Sequence, residues 1–119
     1  MLPQKNRLHF QKDFKKIFAS GKGYTGEFFL TKTTSNNLSY SRLSIIIGKN
    51  IIKKAVKRNF VKRILSSAIE ENWGKVKKGM DIVLILKKNP LLKFKFKEKL
   101  RLHLKKEVNR AFKKLGLLL

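Results

Sequence analysis

Two short apolar runs, Ile45–Ile47 and Ile82–Ile85, place the strongest constraint on the fold of this chain. Continuous runs of this length, rich in branched residues, are typical of strands that are buried on both faces. Gly48 ends the first run, and a helical pattern extends from about Lys53 to Asn72 before the second run begins. This connection is long enough for a parallel strand–helix–strand crossover, and most such crossovers are right-handed.

Three further segments complete the predicted architecture. An N-terminal helix is predicted from apolar residues at helical spacing, which are Phe10, Phe14, Ile17 and Phe18. Glu27–Thr34 is rich in aromatic and β-branched residues and predicts a strand, whereas Gly23 and Gly26 indicate a linker before it. A basic helix is predicted from about Phe96 to Leu115. The chain therefore predicts a single α+β domain, in which three helices pack on a small, mainly antiparallel sheet.

The charge of the chain is strongly unbalanced, with 30 Lys and Arg residues against 7 Asp and Glu residues and a formal net charge of +23. Its 42% hydrophobic content is enough for a core and argues against a disordered tail. The self-repulsion of such a domain is relieved when a polyanion neutralises it. We therefore predict a nucleic-acid partner, with an anionic membrane surface as the second candidate.

Cysteine is absent, which excludes disulfides, thiolate zinc sites and cysteine nucleophiles. The N-terminal sequence has no apolar stretch of signal-peptide length, and no run approaches the roughly 18 apolar residues of a membrane-spanning helix. We therefore expect a cytoplasmic protein that does not enter the membrane.

The predicted helix from about Lys53 to Asn72 separates its charged residues from its apolar ones. At 100° per residue, the residues on its cationic side are Lys54, Arg58, Asn59, Lys62, Arg63 and Ser66. Those on the opposite, apolar side are Val56, Phe60, Val61, Ile64 and Ala68, with Leu65 and Ile69 at the margins. Lys57 falls within the apolar arc and is expected to extend its ammonium group outward.

The cationic side differs from the solvated surface that basic helices usually present. It has almost no acidic residue to form i,i+4 ion pairs, so its charges repel one another. The guanidinium groups of Arg58 and Arg63 match the geometry of phosphate, and Asn59 adds a neutral donor and acceptor. Lys49 and Lys53 increase the positive charge nearby. We therefore predict that this side binds a polyanion.

The segment KRNFVKR (Lys57–Arg63) resembles the basic motif of the bacterial ribonuclease P protein component, in which Arg-Asn is followed two residues later by Lys-Arg. Three other segments, NRL…DFKKIF, YSRLSIIIGK and KGMDIVLILKK, resemble that family in the same order. The resemblance extends from about residue 5 to residue 112. The chain departs from the family pattern at Ser66, Lys53 and Ile51, where the family usually has Arg, Gly and Lys.

The resemblance implies an α+β fold whose strand–helix–strand crossover is left-handed, against the general preference. It implies a protein that assists a catalytic RNA in the magnesium-dependent removal of the 5′ leader from precursor tRNA. We expect the protein itself to be a monomer. The Mg²⁺ ions would be bound mainly by RNA, with none held tightly by the protein alone. By motif position, the residues expected to face the catalytic RNA are Arg58, Asn59, Lys62 and Arg63, joined by Arg7. The neighbouring cations predicted to extend this surface are Lys49, Lys53, Lys54 and Lys57.

The resemblance also implies a cleft between the first helix and the sheet that holds the single-stranded leader. The matching aromatic residues are Phe14, Phe18 and Phe28, whose rings would stack on unpaired bases. Aromatic stripes at helical spacing more often belong to a core, so we expect some rings to be buried and one or two to be partly exposed. Because neighbours on a strand alternate, Phe28 and Phe29 are expected on opposite faces, with one of them in the core.

Residues for acid–base or metal chemistry are few and scattered. The candidates are the helical pairs His9–Asp13 and His103–Glu107, the adjacent Glu70 and Glu71, and Asp81. Each helical pair lacks a third partner, the adjacent carboxylates diverge by about 100°, and a lone carboxylate makes a poor magnesium site. We therefore predict no catalytic and no metal-ligating residue in this chain.

Three other functions stay open at this point. A structured-RNA or ribosome-binding protein with no role in cleavage has the same composition, and the family motifs are the argument against it. A membrane-surface protein would use the basic amphipathic segment from Phe96 to Leu115, although three predicted strands are available to pack against it. A protein-only ribonuclease would cleave RNA without an RNA subunit.

Overall fold

The computed structural model describes residues 2–8, 11–89 and 97–119 and confirms the predicted α+β class, with three helices and a four-stranded sheet. The helices are α1 (Gln11–Ser20), α2 (Ala55–Glu71) and α3 (Lys97–Lys114), and the strands are β1 (Lys22–Thr25), β2 (Phe29–Ser35), β3 (Arg42–Ile46) and β4 (Met80–Leu86). Short 3-10 helical turns lie at Gln4–Asn6 and Trp73–Lys75. The predicted helix start at Phe96 falls outside the described residues. No helix within these ranges has the length and apolar content needed to cross a membrane.

The sheet has the strand order β1-β2-β4-β3. β2 pairs antiparallel with both β1 and β4, so the sheet is mainly antiparallel, as predicted. β4 contains the second apolar run and β3 contains Ile45 and Ile46 of the first. The two strands pair in parallel, with Ile45 opposite Leu84. α2 connects these two strands, which confirms the strand–helix–strand crossover. Its hand stays a prediction from the family resemblance.

The segment before β2 forms a strand, so its interpretation as a linker is wrong. Lys22–Thr25 pairs with β2 at the edge of the sheet, and the amide of Gly26 donates to the carbonyl of Phe29 at 2.9 Å. Tyr24 is partly buried, whereas the other residues of β1 are exposed. The strand therefore depends on its backbone pairing with β2, which is why it lacks hydrophobic periodicity.

Both faces of the sheet are covered, which explains the continuous apolar run in β4. On one face, alternate residues of β4 from Ile82 to Leu86 pack in the main core, to which α2 and α3 contribute. On the other face, Val83 packs with Ile17 of α1 and with Leu8 in a smaller cluster. The sheet therefore lies between α1 and the pair of longer helices.

A buried carboxylate fixes α3 to the start of β2. Glu107 is 3% exposed, and its oxygens accept hydrogen bonds of 2.6–3.0 Å from the backbone N–H groups of Glu27, Phe28 and Phe29. A side chain at Gly26 would meet this carboxylate at 2.6 Å, so the close approach requires glycine. Glu107 thus satisfies backbone donors that would otherwise be buried without an acceptor.

A second buried carboxylate joins the sheet to α1. Asp81 accepts hydrogen bonds from Nε and Nη2 of Arg42, at 2.8 and 2.7 Å. It accepts a third from the side-chain Nδ2 of Asn36, at 2.9 Å. Nη1 of Arg42 lies 3.4 Å from Oδ2 of Asp13 on α1. The hydrogen bond to Asp81 raises the pKa of Arg42 above its usual value, so the guanidinium stays charged. This network helps to set the position of α1 on the sheet.

Replacement of Glu107 by alanine is expected to lower the free energy of unfolding by roughly 3–5 kcal/mol, because it leaves buried N–H groups without an acceptor. Urea unfolding at neutral pH measures this change. Glu98→Ala removes an exposed acid from the same helix and is the control, with an expected change below about 1 kcal/mol. Equal stability of the two variants would contradict the role assigned to Glu107.

Candidate nucleic-acid interface

The buried side of α2 is turned relative to the predicted apolar side. Leu65 and Ile69, predicted at the margins, are completely buried in the main core. Val56, predicted on the apolar side, is 79% exposed, so that prediction is wrong. It lies in the first turn of α2, ahead of Val61, which is the first buried residue of the helix. Contacts of α2 with the rest of the core therefore decide which side is buried.

Arg58 has structural partners at the start of α2. It is partly buried, and its Nη1 donates to the carbonyl oxygens of Ile52 at 3.0 Å and Lys53 at 2.7 Å. These carbonyls belong to the connection between β3 and α2. One arm of the guanidinium is therefore used within the protein, and the predicted contact of Arg58 with RNA stays a prediction.

The other predicted RNA-binding residues of this region lie at or near the surface. The exposed ones are Lys49, Lys53, Lys54, Asn59, Lys62 and Arg63, whereas Lys57 is partly buried. Arg7 pairs with β3 at Leu43 and lines a groove of about 480 Å³ together with Lys62 and Ser66. Ser66 stands where the family usually has Arg, so Arg7 and Lys62 supply positive charge to this groove.

Arg63 lies in a second groove, which separates α2 from α3. The groove has a volume of about 400 Å³, and its polar lining residues are Arg63, Ser67 and Glu71 on α2 and Arg101 and Lys105 on α3. Arg101 and Lys105 were absent from the predicted site because the pattern of α3 shows only a basic, amphipathic helix. Their position beside α2 follows from the packing of the two helices, which periodicity does not specify.

The connection between β3 and α2 contains two of the departures from the family pattern. The carbonyl of Gly48 accepts hydrogen bonds from the amides of Ile51 at 3.0 Å and Ile52 at 3.2 Å, which turns the chain. Ile52 is buried in the main core and Ile51 packs against it, while Lys53 is exposed. This chain therefore has a core contact at position 51 and a surface cation at position 53.

α1 presents an aromatic ring to solvent beside the sheet. Phe18 is 44% exposed, and Phe14 is partly buried. Phe14 packs in the smaller cluster with Ile46 and Ile85, which are also partly exposed. Phe14, Ile46 and Ile85 therefore form a partly exposed apolar surface where α1 packs on the sheet. Both rings that the structure describes on this helix are accessible, and Phe10, the third of the set, lies outside the described residues.

Phe28 belongs to the core, so its prediction as a leader contact is wrong. Phe28 is 1% exposed and packs with Phe29 in the main core, beside the ring of His103 at a centroid distance of 5.9 Å. β2 begins at Phe29, and Glu107 holds the backbone at the turn that precedes it. Strand alternation therefore does not apply to this pair, and both rings point into the core.

The carboxylates give little support for metal or acid–base chemistry. Among the described residues, no group of three or more His, Asp or Glu side chains is arranged to hold a metal ion. Asp81 and Glu107 are engaged in the hydrogen bonds described above. The predicted residues His9 and Phe10 lie outside the described ranges.

Arg58→Gln is expected to lower the free energy of unfolding by about 1–2 kcal/mol, because the two loop carbonyls lose their charged donor. Arg63→Gln removes the same charge from an exposed position on α2 and should change stability by less than about 0.5 kcal/mol. Urea unfolding of both variants measures the difference. Equal stabilities would show that the Arg58 contacts with the connection are energetically unimportant.

Relatives of known sequence identify the family. A sequence model of the family described as Ribonuclease P matches residues 2–116. The Ribonuclease P protein component of Thermotoga maritima is 39% identical over 85 residues, which is 71% of this chain and 72% of that protein. The corresponding protein of Fusobacterium nucleatum is 32% identical over 111 residues, which is 91% of this chain and 95% of that protein.

Solved structures share the fold. The RNase P protein from Thermotoga maritima has a TM-score of 0.70 at 31% identity, covering 88% of this chain and 96% of that one. The Staphylococcus aureus RNase P protein has a TM-score of 0.81 at 21% identity and covers 96% and 98% of the two chains, which shows a common fold. By the match over residues 2–116 and the identity to these relatives, this chain belongs to the ribonuclease P protein component family.

Proposed function

We propose that this protein binds the catalytic RNA of ribonuclease P through a basic surface, formed by Arg7 and by the cations of α2 and of the connection before it. The 5′ leader of precursor tRNA would bind in a cleft between α1 and the sheet. The protein thereby promotes the magnesium-dependent endonucleolytic removal of the leader in tRNA 5′-end maturation. Membership of the family supports a role in tRNA processing together with an RNA subunit. The observation that supports RNA binding most strongly is the groove lined by both Arg7 and Lys62, beside the exposed cations of α2.

The basic surface suits phosphate because it presents several exposed cations close together. Lys49, Lys53 and Lys54 are exposed at the approach to α2, and the side chains of Lys62 and Arg63 follow on the helix. Each phosphate that these groups neutralise releases condensed counterions from the RNA. Binding to the catalytic RNA should therefore weaken steeply as salt is added.

The cleft beside α1 suits a single strand of varied sequence. Phe18 and Phe14 offer ring surface on which unpaired bases can stack, at roughly 1–3 kcal/mol per base. Lys15 is exposed on the same helix, and Lys32 lies on the neighbouring strand β2, where both can follow the phosphate backbone. Stacking and charge together would hold a leader without reading its sequence.

The hydrolysis itself is assigned to the RNA subunit, with Mg²⁺ bound mainly by RNA oxygens. Asp81 and Glu107 bind an arginine and backbone N–H groups within the fold, so they are not available as ligands or bases. The protein, a cytoplasmic monomer in this proposal, would reduce phosphate repulsion where the catalytic RNA, the leader and the metal ions meet. Holding the leader in place would raise metal affinity indirectly.

Cleavage of a 5′-extended precursor tRNA at low magnesium concentration tests this function. A bacterial ribonuclease P RNA alone, this protein alone, and both together are compared. Cleavage at the mature 5′ end only with both components is the expected result. Cleavage by the protein alone, after contaminating nuclease is excluded, would assign catalysis to protein side chains. Binding of a compatible RNA without restored cleavage would favour a general RNA-binding function.

Phe18→Ala is expected to weaken binding of leader-containing precursor tRNA to the holoenzyme by about 5- to 100-fold, because one stacking surface is lost. Binding of mature tRNA, which has no leader, should be unchanged. Leu102→Ala removes a comparably exposed apolar side chain from α3 and is the matched control. Equal effects on precursor and mature tRNA would remove Phe18 from the leader site.

A further inference from the structure

The groove between α2 and α3 is a second cationic surface. Ile64 and Ala68 provide apolar lining, and the charged residues of α2 and α3 stand on either side. Its volume of about 400 Å³ is comparable with that of a small-ligand site, so it can accommodate a short stretch of a polymer backbone.

Positive charge in this groove is incompletely neutralised. Within the ranges that the structure describes, Arg63 and Arg101 are exposed and take part in no ion pair. Lys105 binds Glu71 at 2.8 Å, with 46% and 50% of the two side chains exposed. An ion pair this exposed contributes little to stability and is readily exchanged. Three cations and one carboxylate leave the groove with a formal charge of 3 − 1 = +2.

We propose that this groove binds the phosphate backbone of the ribonuclease P RNA, so that α3 forms a second wall of the RNA-binding surface. Arg63 and Arg101 belong to opposite walls, and their planar guanidinium groups can contact one phosphodiester strand from two sides. Lys105 joins them when phosphate replaces Glu71 as its partner. This inference rests on the proposed function and extends its RNA-binding surface from α2 to α3.

The position of the groove favours the catalytic RNA over the leader. Lys62 and Arg63 are neighbours in the chain but line different grooves, the first with Arg7 and the second with Arg101. An RNA that covers the exposed side of α2 therefore reaches both grooves. Phe18, the proposed leader contact, belongs to α1, which packs on the opposite face of the sheet.

Two double variants with the same loss of charge test the groove. Arg101→Gln/Lys105→Gln removes the α3 cations of the groove, and Lys106→Gln/Arg110→Gln removes one Lys and one Arg from exposed positions about 140° around the helix. The affinity of each for a bacterial ribonuclease P RNA that the wild-type protein binds is measured over a range of salt concentrations. Thermal unfolding checks that both variants keep the fold.

The groove variant is expected to bind this RNA about tenfold more weakly, with a log–log salt slope less steep by roughly 2. The control should remain within about threefold of the wild-type protein. Equal losses in the two variants would overturn the inference. Loss of affinity for precursor tRNA in the assembled holoenzyme, with affinity for the RNA subunit retained, would place the substrate in the groove and overturn it as well.

A variant that removes a negative charge from the groove is expected to strengthen RNA binding. Glu71→Gln removes the carboxylate that the structure describes in the lining of the groove and releases Lys105, so it is expected to bind the RNA roughly two- to threefold more tightly. A merely structural role of the Glu71–Lys105 pair does not predict tighter binding. Unchanged or weaker binding by this variant would contradict the proposal.

Directed cleavage locates the RNA independently of affinity. Because the chain has no cysteine, Ser67→Cys provides a single attachment point for an iron chelate within the groove, and Arg110→Cys provides one on the other side of α3. Hydroxyl radicals from the first position are expected to cut the ribonuclease P RNA more strongly than those from the second. Equal cutting, or cutting of precursor tRNA alone, would refute the proposed contact.

Failure of the proposed function is a separate outcome. If the wild-type protein neither binds ribonuclease P RNA nor restores cleavage, the proposed function is wrong and the groove inference falls with it. If the wild-type protein does both while the groove variant matches its control, only the groove inference is wrong.

Discussion

With 7 acidic residues against 30 basic ones, this fold has few carboxylates with which to satisfy its buried polar groups. Two of these carboxylates, Asp81 and Glu107, each accept several hydrogen bonds. Asp81 binds Arg42 and Asn36, and Arg42 reaches Asp13 on α1, so this network ties the helix to the sheet. Glu107 binds three successive backbone N–H groups and ties α3 to the start of β2. Because these acids are used inside the protein, they leave the surface cations available to an external polyanion.

The layer arrangement separates two kinds of surface. α1 packs on one face of the sheet and leaves Phe18 and parts of Phe14, Ile46 and Ile85 accessible. α2 and α3 pack on the other face and present their cations to solvent. The accessible aromatic rings of α1 and the exposed cations of α2 and α3 therefore lie on different helices. Under the proposed function, this separation lets a small domain hold a single-stranded leader and a structured RNA at the same time.

Features that depend on local pattern could be predicted, and those that depend on distant contacts could not. The apolar runs indicated two strands of the sheet, of which β4 is largely buried while Ile45 and Ile46 of β3 are only partly buried. The motif around Arg58 indicated the ribonuclease P protein family, which the relatives confirm. β1 has no such pattern because the backbone of β2 holds it and most of its side chains are exposed. Phe28 is buried at a turn where its backbone N–H donates a hydrogen bond to Glu107, which lies 79 residues further along the chain. Arg101 reaches the groove of Arg63 only because α3 packs beside α2.

The magnesium requirement of cleavage tests the electrostatic account most directly. The single-turnover rate of 5′-leader removal is measured against Mg²⁺ concentration for a bacterial ribonuclease P RNA with and without saturating protein, at constant ionic strength. The account predicts that the protein lowers the Mg²⁺ concentration needed for half-maximal rate, and that added monovalent salt reduces this effect. An unchanged magnesium requirement, with the protein fully bound to the RNA, would contradict it.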